Sequence, residues 1–175
     1  MINGILLVCF YGPESTGKTV MAQKMAQRYQ TEWVPEVARE IITSNNFNRE
    51  DIINIGRAQT ERVFFKARKA NRILFCDTDL ITTQIYSRHY LGVVPPVLYE
   101  LEKMITYDRY LLFDIDVPWV RDGLRDLGSE SQRKMMFETF KQELVRRHID
   151  YRLIQGSWQE REDAVVQEID LLLKR

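Results

Sequence analysis

The chain is 175 residues long, 45% hydrophobic and 29% charged, the proportions of one ordinary globular domain large enough to bury a core without disulfides or metals. Lys plus Arg and Asp plus Glu are each 25, so no global field gathers nucleic acid or an anionic membrane, and a small charged metabolite is the easier partner. No apolar run approaches the ~20 residues of a membrane span and Met1-Ile2-Asn3 lacks the basic flank of a signal peptide, which points to the cytoplasm.

The first element is an apolar run, Ile5-Leu6-Leu7-Val8-Cys9-Phe10, short enough for a buried parallel strand. It runs into Gly12-Pro13-Glu14-Ser15-Thr16-Gly17-Lys18-Thr19, a complete G-x-x-x-x-G-K-[ST] phosphate loop. From average residue usage such a match arises by accident in roughly one chain in a hundred of this length, and the preceding strand lowers that further. Terminal glycines let the backbone curl around an anion, so successive N–H groups point inward and the next helix offers its positive end. Lys18 adds a mobile charge for the β- and γ-phosphates, and the Thr19 hydroxyl is placed to ligate Mg²⁺. The loop therefore predicts a bound nucleoside triphosphate. Val20 to Tyr29 follows as a helix, with Met21, Met25 and Tyr29 at helical spacing.

Glu32-Trp33-Val34-Pro35 reads as a brief second strand ended by its proline, which delivers Glu36 just past a strand's carboxyl end. Helical spacing resumes at Val37, Ile41 and Ile42, breaks at Ser44-Asn45-Asn46, and returns from Glu50 to Ala70 with Ile52, Ile55, Ala58, Gln59, Val63 and Phe64 on one broad face. Ile73-Leu74-Phe75-Cys76 is the third strand, ending at Asp77-Thr78-Asp79. A helix follows from about Leu80 to Tyr90, closed by Gly92, and Pro95-Pro96 opens another to roughly Ile105. Tyr110-Leu111-Leu112-Phe113-Asp114 is the fourth strand. Residues 118 to 133 carry Trp119, Arg121, Arg125 and Arg133 around Gly123 and Gly128, before an amphipathic helix through Met136, Phe140, Leu144 and Val145. Tyr151 to Ile154 is the fifth strand, Gln155-Gly156-Ser157 its exit loop, and Glu160 to Leu173 the last helix. Cys9 and Cys76 sit in apolar strands as small hydrophobes, and His89 and His148 are too far apart for a zinc site or a triad.

Five short strands alternating with helices predict an α/β fold, a three-layer αβα arrangement around a mainly parallel sheet, because parallel neighbours need helical crossovers. Ligands of such sheets bind at the strands' carboxyl ends. That edge collects the phosphate loop, Glu36, Asp77, Asp79 and the Gly156-Ser157 turn. Asp77 stands where a carboxylate supports Mg²⁺, although an aspartate after a strand also caps helices. Asp79 divides between a cap and a substrate contact. With Thr82, Thr83 and Tyr86 it falls at i, i+3, i+4 and i+7, one polar stripe with an aromatic that suits a hydroxylated, ring-bearing ligand or a solvated face.

Transfer of a phosphoryl group to an alcohol needs a carboxylate near the hydroxyl proton, and Glu36 is the candidate. The run Val34-Pro35-Glu36-Val37-Ala38-Arg39 resembles the segment of deoxynucleoside kinases in which a glutamate positions the sugar 5′-hydroxyl; the alternative is a Glu36–Arg39 surface pair of small worth. Arg121, Arg125 and Arg133 on a Gly-flanked segment read as a lid that closes over the triphosphate, or as an ordinary basic face.

Four stretches, Gly12 to Thr19, Pro-Glu-Val-Ala-Arg-Glu at 35–40, Asp-Thr-Asp-Leu-Ile-Thr-Thr-Gln at 77–84 and Asp-Gly-Leu-Arg-Asp-Leu-Gly-Ser at 122–129, resemble the ribosylnicotinamide kinase domain of NadR-type proteins, in the family's order and over nearly the whole chain. The resemblance implies an adenylate-kinase-like P-loop fold with a helical lid and ATP-dependent phosphorylation of nicotinamide riboside to nicotinamide mononucleotide. It implies ATP and Mg²⁺ as cofactors, the phosphate loop holding ATP and the Asp77-Thr78-Asp79 region serving Mg²⁺ and substrate. Joined to the reading of the residues, the expected site has Lys18, Glu36, Asp77 and Arg125 catalytic, residues 12–19, Arg121, Gly156 and Ser157 holding ATP, Thr19 and Asp77 the metal, and Glu36, Arg39, Asp79, Thr82 and Tyr86 the riboside. Val37 departs from the tyrosine that many relatives have there, so an aromatic contact must come from elsewhere, with Tyr86, Tyr90, Trp33 and Trp119 available to a cationic ring. No H-x-G-H signature of the adenylyltransferase often fused to this family is present, and homo-oligomerisation is left open. Two rival readings are a kinase for a deoxynucleoside or another small alcohol, and a non-catalytic ATP- or GTP-binding regulatory module.

Overall fold

The structure is a computed structural model that describes residue 2 and residues 4–42, 46–121 and 126–174. Strands β1 (Leu6–Tyr11), β2 (Trp33–Val34), β3 (Ile73–Asp77), β4 (Arg109–Phe113) and β5 (Tyr151–Ile154) form a five-stranded sheet in the order β2-β3-β1-β4-β5. Every pairing is parallel. The connections carry α1 (Lys18–Arg28), α2 (Ala38–Ile41), α3 (Arg49–Ala67), α4 (Leu80–Leu91), α5 (Val97–Glu102) and α6 (Glu130–Arg146), and α7 (Trp158–Leu173) follows β5. The predicted α/β, three-layer arrangement is the one observed.

The layering follows from the period of two along central strand β1, whose residues 7–11 are fully buried. Val8 and Phe10 face α1 and α7, where they join Met21, Met25, Val165 and Ile169. Cys9 and Tyr11 face the opposite way, against Ile81 and Ile85 of α4 and Met136, Phe140 and Leu144 of α6. Leu7 shares a third cluster with Val63 and Ala67 of α3. A run buried on both faces cannot alternate apolar with polar, which is why it reads as continuous hydrophobicity. Cys9 and Cys76 are register partners across β1 and β3, and burial pushes both thiols up, leaving them inert as nucleophiles.

Helix α3 begins at a capping box in which Asn48 accepts from the Asp51 N–H and Asp51 from the Asn48 N–H. Its buried side is Ile52, Ile55, Gly56, Gln59, Thr60, Val63 and Ala67, whereas Ala58 and Phe64 of the predicted face are only half-buried. The difference is a close approach: a Cβ on Gly56 would lie 2.4 Å from the Leu98 side chain, so α5 packs where the sequence pattern shows only a gap. Helix α5 stops at Glu102 rather than Ile105. The expected lid is irregular over 114–121 and 126–129 and becomes helical at α6; Arg125 lies outside the described residues.

Phe140 is fully buried and stands edge-on to Tyr11 at 4.9 Å and to Tyr86 at 5.8 Å, fixing α6 against both β1 and α4. Phe140→Ala should lower the unfolding free energy in urea by about 3–5 kcal/mol; a loss under about 1 kcal/mol would mean that α6 does not hold this layer together.

Candidate active site

The phosphate loop turns where β1 meets α1. Gly12 has φ +130°, and a Cβ there would sit 2.8 Å from the Phe113 carbonyl oxygen, so only glycine lets the loop pass the end of β4. Gly17, at φ +87°, leads into α1 without any side-chain cap. Among the described helices of ten or more residues, α3, α4, α6 and α7 are capped by Asn48, Asp79, Ser129 and Ser157. The first N–H groups of α1 are thus left for an anion. Lys18 folds back over the loop and donates to the Pro13 carbonyl at 2.6 Å, and the Thr16 hydroxyl donates to the same oxygen at 2.9 Å.

Register pairs Phe10 with Asp77, so the end of β3 lies beside the loop. The Thr19 hydroxyl donates to Asp77 Oδ2 at 2.5 Å, while Oδ1 is buried with no partner among the described residues. Burial raises the Asp77 carboxyl to about 6; the Glu36 charge pushes the same way, and Lys18, the Thr19 hydroxyl and Arg39 pull it down. Lys18, Thr19 and Glu36 line one cavity, and the Thr19 hydroxyl ties Asp77 to it. An orphaned carboxylate oxygen beside a hydroxyl, at the mouth of a phosphate loop, fits a hard divalent ion that completes its shell with phosphate oxygens and water. No cluster of three or more His, Cys, Asp or Glu that could hold a metal occurs among the described residues. Thr78, between the two aspartates, has φ +73°, a strained state for a β-branched residue, and donates its N–H to the Phe10 carbonyl.

A cavity of about 190 Å³ opens from this point. The phosphate loop, Lys18 and Thr19 bound one end; Glu36, Arg39, Thr78, Thr82 and Thr83 line it, as do Tyr86 and Tyr90 of α4. Tyr86 and Tyr90 stack at 6.3 Å, and Phe47 meets Tyr90 edge-on at 5.4 Å. Phe47, Ile42, Ile52 and Ile55 were not singled out by sequence reasoning, because they belong to a loop and to what looks like an ordinary core face. Gln59 was read only as helix face. Its Oε1 accepts the Val37 N–H at 3.1 Å, anchoring the residue after Glu36. Of the four candidate aromatics, Trp33 packs on the α1–α7 side of the sheet and Trp119 against Gly128, away from the cavity.

Glu36 and Arg39 do pair, at 3.0 Å, and both line the cavity, Glu36 half-buried and Arg39 exposed at its mouth. Asp79 lies outside the lining: its Oδ1 caps α4 by accepting from the Thr82 N–H and hydroxyl, and Oδ2 accepts from Tyr110. Burial raises this carboxyl too, to about 6. The cap alternative describes its position, and Thr82 carries the polar stripe into the cavity. Gly156 and Ser157 are also outside the lining; the Ser157 hydroxyl caps α7. Arg133 donates to the Val117 carbonyl and lies over Trp119, which makes it a brace of the segment rather than a group reaching into the cavity. Arg121 is exposed. Either side of residues 122–125 the chain is tied to the site, Val120 N–H donating to Ser15 Oγ at 2.8 Å, Leu127 N–H to Glu14 Oε1 at 3.3 Å, and the Tyr90 hydroxyl to Asp126. No described helix is long and apolar enough to cross a membrane.

A family model for AAA domains matches residues 7–161. The trifunctional NAD biosynthesis/regulator protein NadR of Salmonella typhimurium is 31% identical over 152 residues, 82% of this chain and 37% of that protein, so the chain spans well under half of its curated relative. A crystal structure of NadR protein in complex with NR superposes with a TM-score of 0.80 at 22% identity over 94% of this chain and 51% of the other. NadR protein in complex with NAD and AMP-PNP gives 0.77 at 21% identity, over 94% of this chain and 49% of the other. At those identities the structures carry the fold.

The raised Asp77 carboxyl has a sign that can be tested without ligand. Its proton is held up to about 6 when folded and released near 3.8 when unfolded, so the native state binds more protons between those values and stability falls as pH rises through that window. Asp77→Asn should therefore stabilise the ligand-free protein at pH 7.5 by about 2 kcal/mol in urea, a gain that shrinks at pH 4, while abolishing Mg²⁺-dependent nucleotide binding. An equal effect at both pH values would contradict the buried-charge origin.

Proposed function

The chain belongs to this AAA domain family, and from that premise we propose that it is a kinase transferring the γ-phosphoryl group of ATP to the 5′-hydroxyl of nicotinamide riboside, forming nicotinamide mononucleotide and ADP. What chiefly supports the reading is that Lys18, Thr19 and Glu36 line one cavity with an aromatic wall and that the Thr19 hydroxyl is hydrogen-bonded to Asp77 just behind it. The two NadR complexes, one with NR and one with AMP-PNP, are consistent with the same pair of ligands.

In the proposed mechanism the triphosphate lies on the open N–H groups at the start of α1 and of residues 15–17. Lys18 exchanges the Pro13 carbonyl for β- and γ-phosphate oxygens and so offsets charge developing in transfer. Thr19 and Asp77 would hold Mg²⁺, which neutralises the phosphates and orients them. Glu36 orients the 5′-hydroxyl and accepts its proton as the oxygen bonds to phosphorus and the bond to the ADP leaving oxygen breaks. Arg39 holds the Glu36 carboxylate in place, and Thr82 and Thr83 offer hydroxyls to the ribose. Nicotinamide riboside carries a fixed positive charge on its ring, and Tyr86, Tyr90 and Phe47 supply electron-rich surface for it. The charges of Glu14 and Glu36 face the Tyr86 phenol and would add attraction for a cation. Arg121 and Arg125 are the proposed lid arginines.

Glu36→Gln should cut kcat by about 10²- to 10⁴-fold and leave MgATP affinity within about threefold, because only the proton's destination is removed. An unchanged kcat would return Glu36 to a surface pair. A panel of nucleosides assayed for ADP release with MgATP tests the acceptor: nicotinamide riboside is expected to give the highest kcat/KM. Preference for a neutral deoxynucleoside would replace the substrate, and tight ATP binding with no turnover of any alcohol would favour a regulatory module.

A further inference from the structure

Arg161 is the largest fully buried side chain among the described residues, at the end of the first turn of α7, and it lies outside the cavity. Its guanidinium is divided among separate segments of backbone. Nε donates to the Gly156 carbonyl at 2.9 Å, Nη1 to the Thr16 carbonyl at 3.1 Å, and Nη2 to the Asp114 carbonyl at 3.1 Å. Nη2 also pairs with Asp116 Oδ1, and the other Asp116 oxygen accepts the Gly156 N–H at 2.6 Å, so Gly156 is gripped through both its carbonyl and its amide. The planar group lies 6.0 Å from the Phe113 ring centroid. The sheet already ties the tip of β4 to the end of β5 through the Asp114 N–H and the Ile154 carbonyl, and this one cation joins both to the phosphate loop.

Burying a guanidinium strips it of water, and a well-packed apolar side chain would fill the space at less cost. Such a group gives instead geometry: five donors in a rigid fork, which an ammonium cannot reproduce. The Thr16 carbonyl is the decisive contact. Turning that oxygen inward to Arg161 fixes the Thr16–Gly17 peptide, and with it the direction of the Gly17 N–H just ahead of the uncapped start of α1. We propose that Arg161 is a positioning residue for nucleotide binding, holding the phosphate loop in its anion-receiving shape and locking it to the Gly156 turn before the nucleotide arrives. The inference rests on the reading of this loop as the ATP site and on nothing about the acceptor.

The test is calorimetric titration of wild type and Arg161→Lys with MgATP and, separately, with nicotinamide riboside. Arg161→Lys keeps the charge but loses the fork, and should weaken MgATP about tenfold or more while riboside affinity stays within twofold. MgATP affinity within twofold of wild type would overturn the proposal, as would equal losses for both ligands. Should Arg161→Lys fail to fold, Asp116→Asn takes its place: it loosens the guanidinium without emptying its site, and should weaken MgATP about threefold and speed amide exchange at residues 16–17. No change in either overturns the proposal. A wild type that binds no MgATP would instead overturn the ATP site itself, and one that binds MgATP but not the riboside only the acceptor.

Discussion

The parallel pairing of β1 with β3 is the constraint from which the site follows. It fixes Phe10 opposite Asp77, so the strand that feeds the phosphate loop and the strand that ends in a carboxylate finish side by side. The first turn of α1 then brings the Thr19 hydroxyl to 2.5 Å from that carboxylate. Several unfavourable features accumulate at this spot: a buried acid with one oxygen unpaired and its proton affinity raised by burial and by the Glu36 charge, a helix with no cap, and a strained Thr78. In the proposed function a polyphosphate with its divalent ion would offset the unpaired oxygen and the open helix start together, and unfavourable features gathered at one point are how a preorganised binding site differs from a merely stable one.

The cavity lining combines two chemistries. Backbone N–H groups, Lys18 and Thr19 are suited to spread negative charge; Phe47, Tyr86 and Tyr90, with Ile42, Ile52 and Ile55, are suited to a flat ring, and Glu36 and Arg39 line the same cavity. Tyr86 hydrogen-bonds the Glu14 backbone, so the aromatic wall begins at the phosphate loop itself. An enzyme that transfers a phosphoryl group has little covalent work to do beyond holding two reactants in line, and a cavity with both chemistries suits that holding. The tethers from Val120, Leu127 and Asp126 to Ser15, Glu14 and Tyr90 place the margins of the arginine-bearing segment over the same cavity.

Much of this was legible in the residues. Continuous apolar runs marked β1, β3 and β4 because a sheet covered on both faces leaves no polar alternation there, whereas the edge strands are shorter or, as at Arg152 of β5, carry an exposed polar residue; the phosphate loop carried its own geometry in its glycines. The rule that ligands gather at carboxyl ends of parallel strands brought Glu36 and Asp77 to Lys18 before any coordinates did. Asp79 escaped, since a cap and a ligand contact occupy the same sequence position and only the Tyr110 hydroxyl, 31 residues away, distinguishes them. Phe47 and Gln59 escaped because nothing local separates a cavity wall from a core. Arg161 was invisible for a further reason: in a charged, amphipathic helix one arginine looks like any other, and apart from nearby Gly156 its partners Thr16, Asp114 and Asp116 come from two distant stretches.

The central claim is that one crevice holds the triphosphate and the sugar alcohol at once, end to end. An inhibitor that joins adenosine to nicotinamide riboside through a chain of phosphates tests it directly, by steady-state inhibition against each substrate. A shared crevice predicts competition with both ATP and the riboside, and affinity well above that of either alone. Competition with ATP only, at an affinity no better than that of ADP, would contradict it.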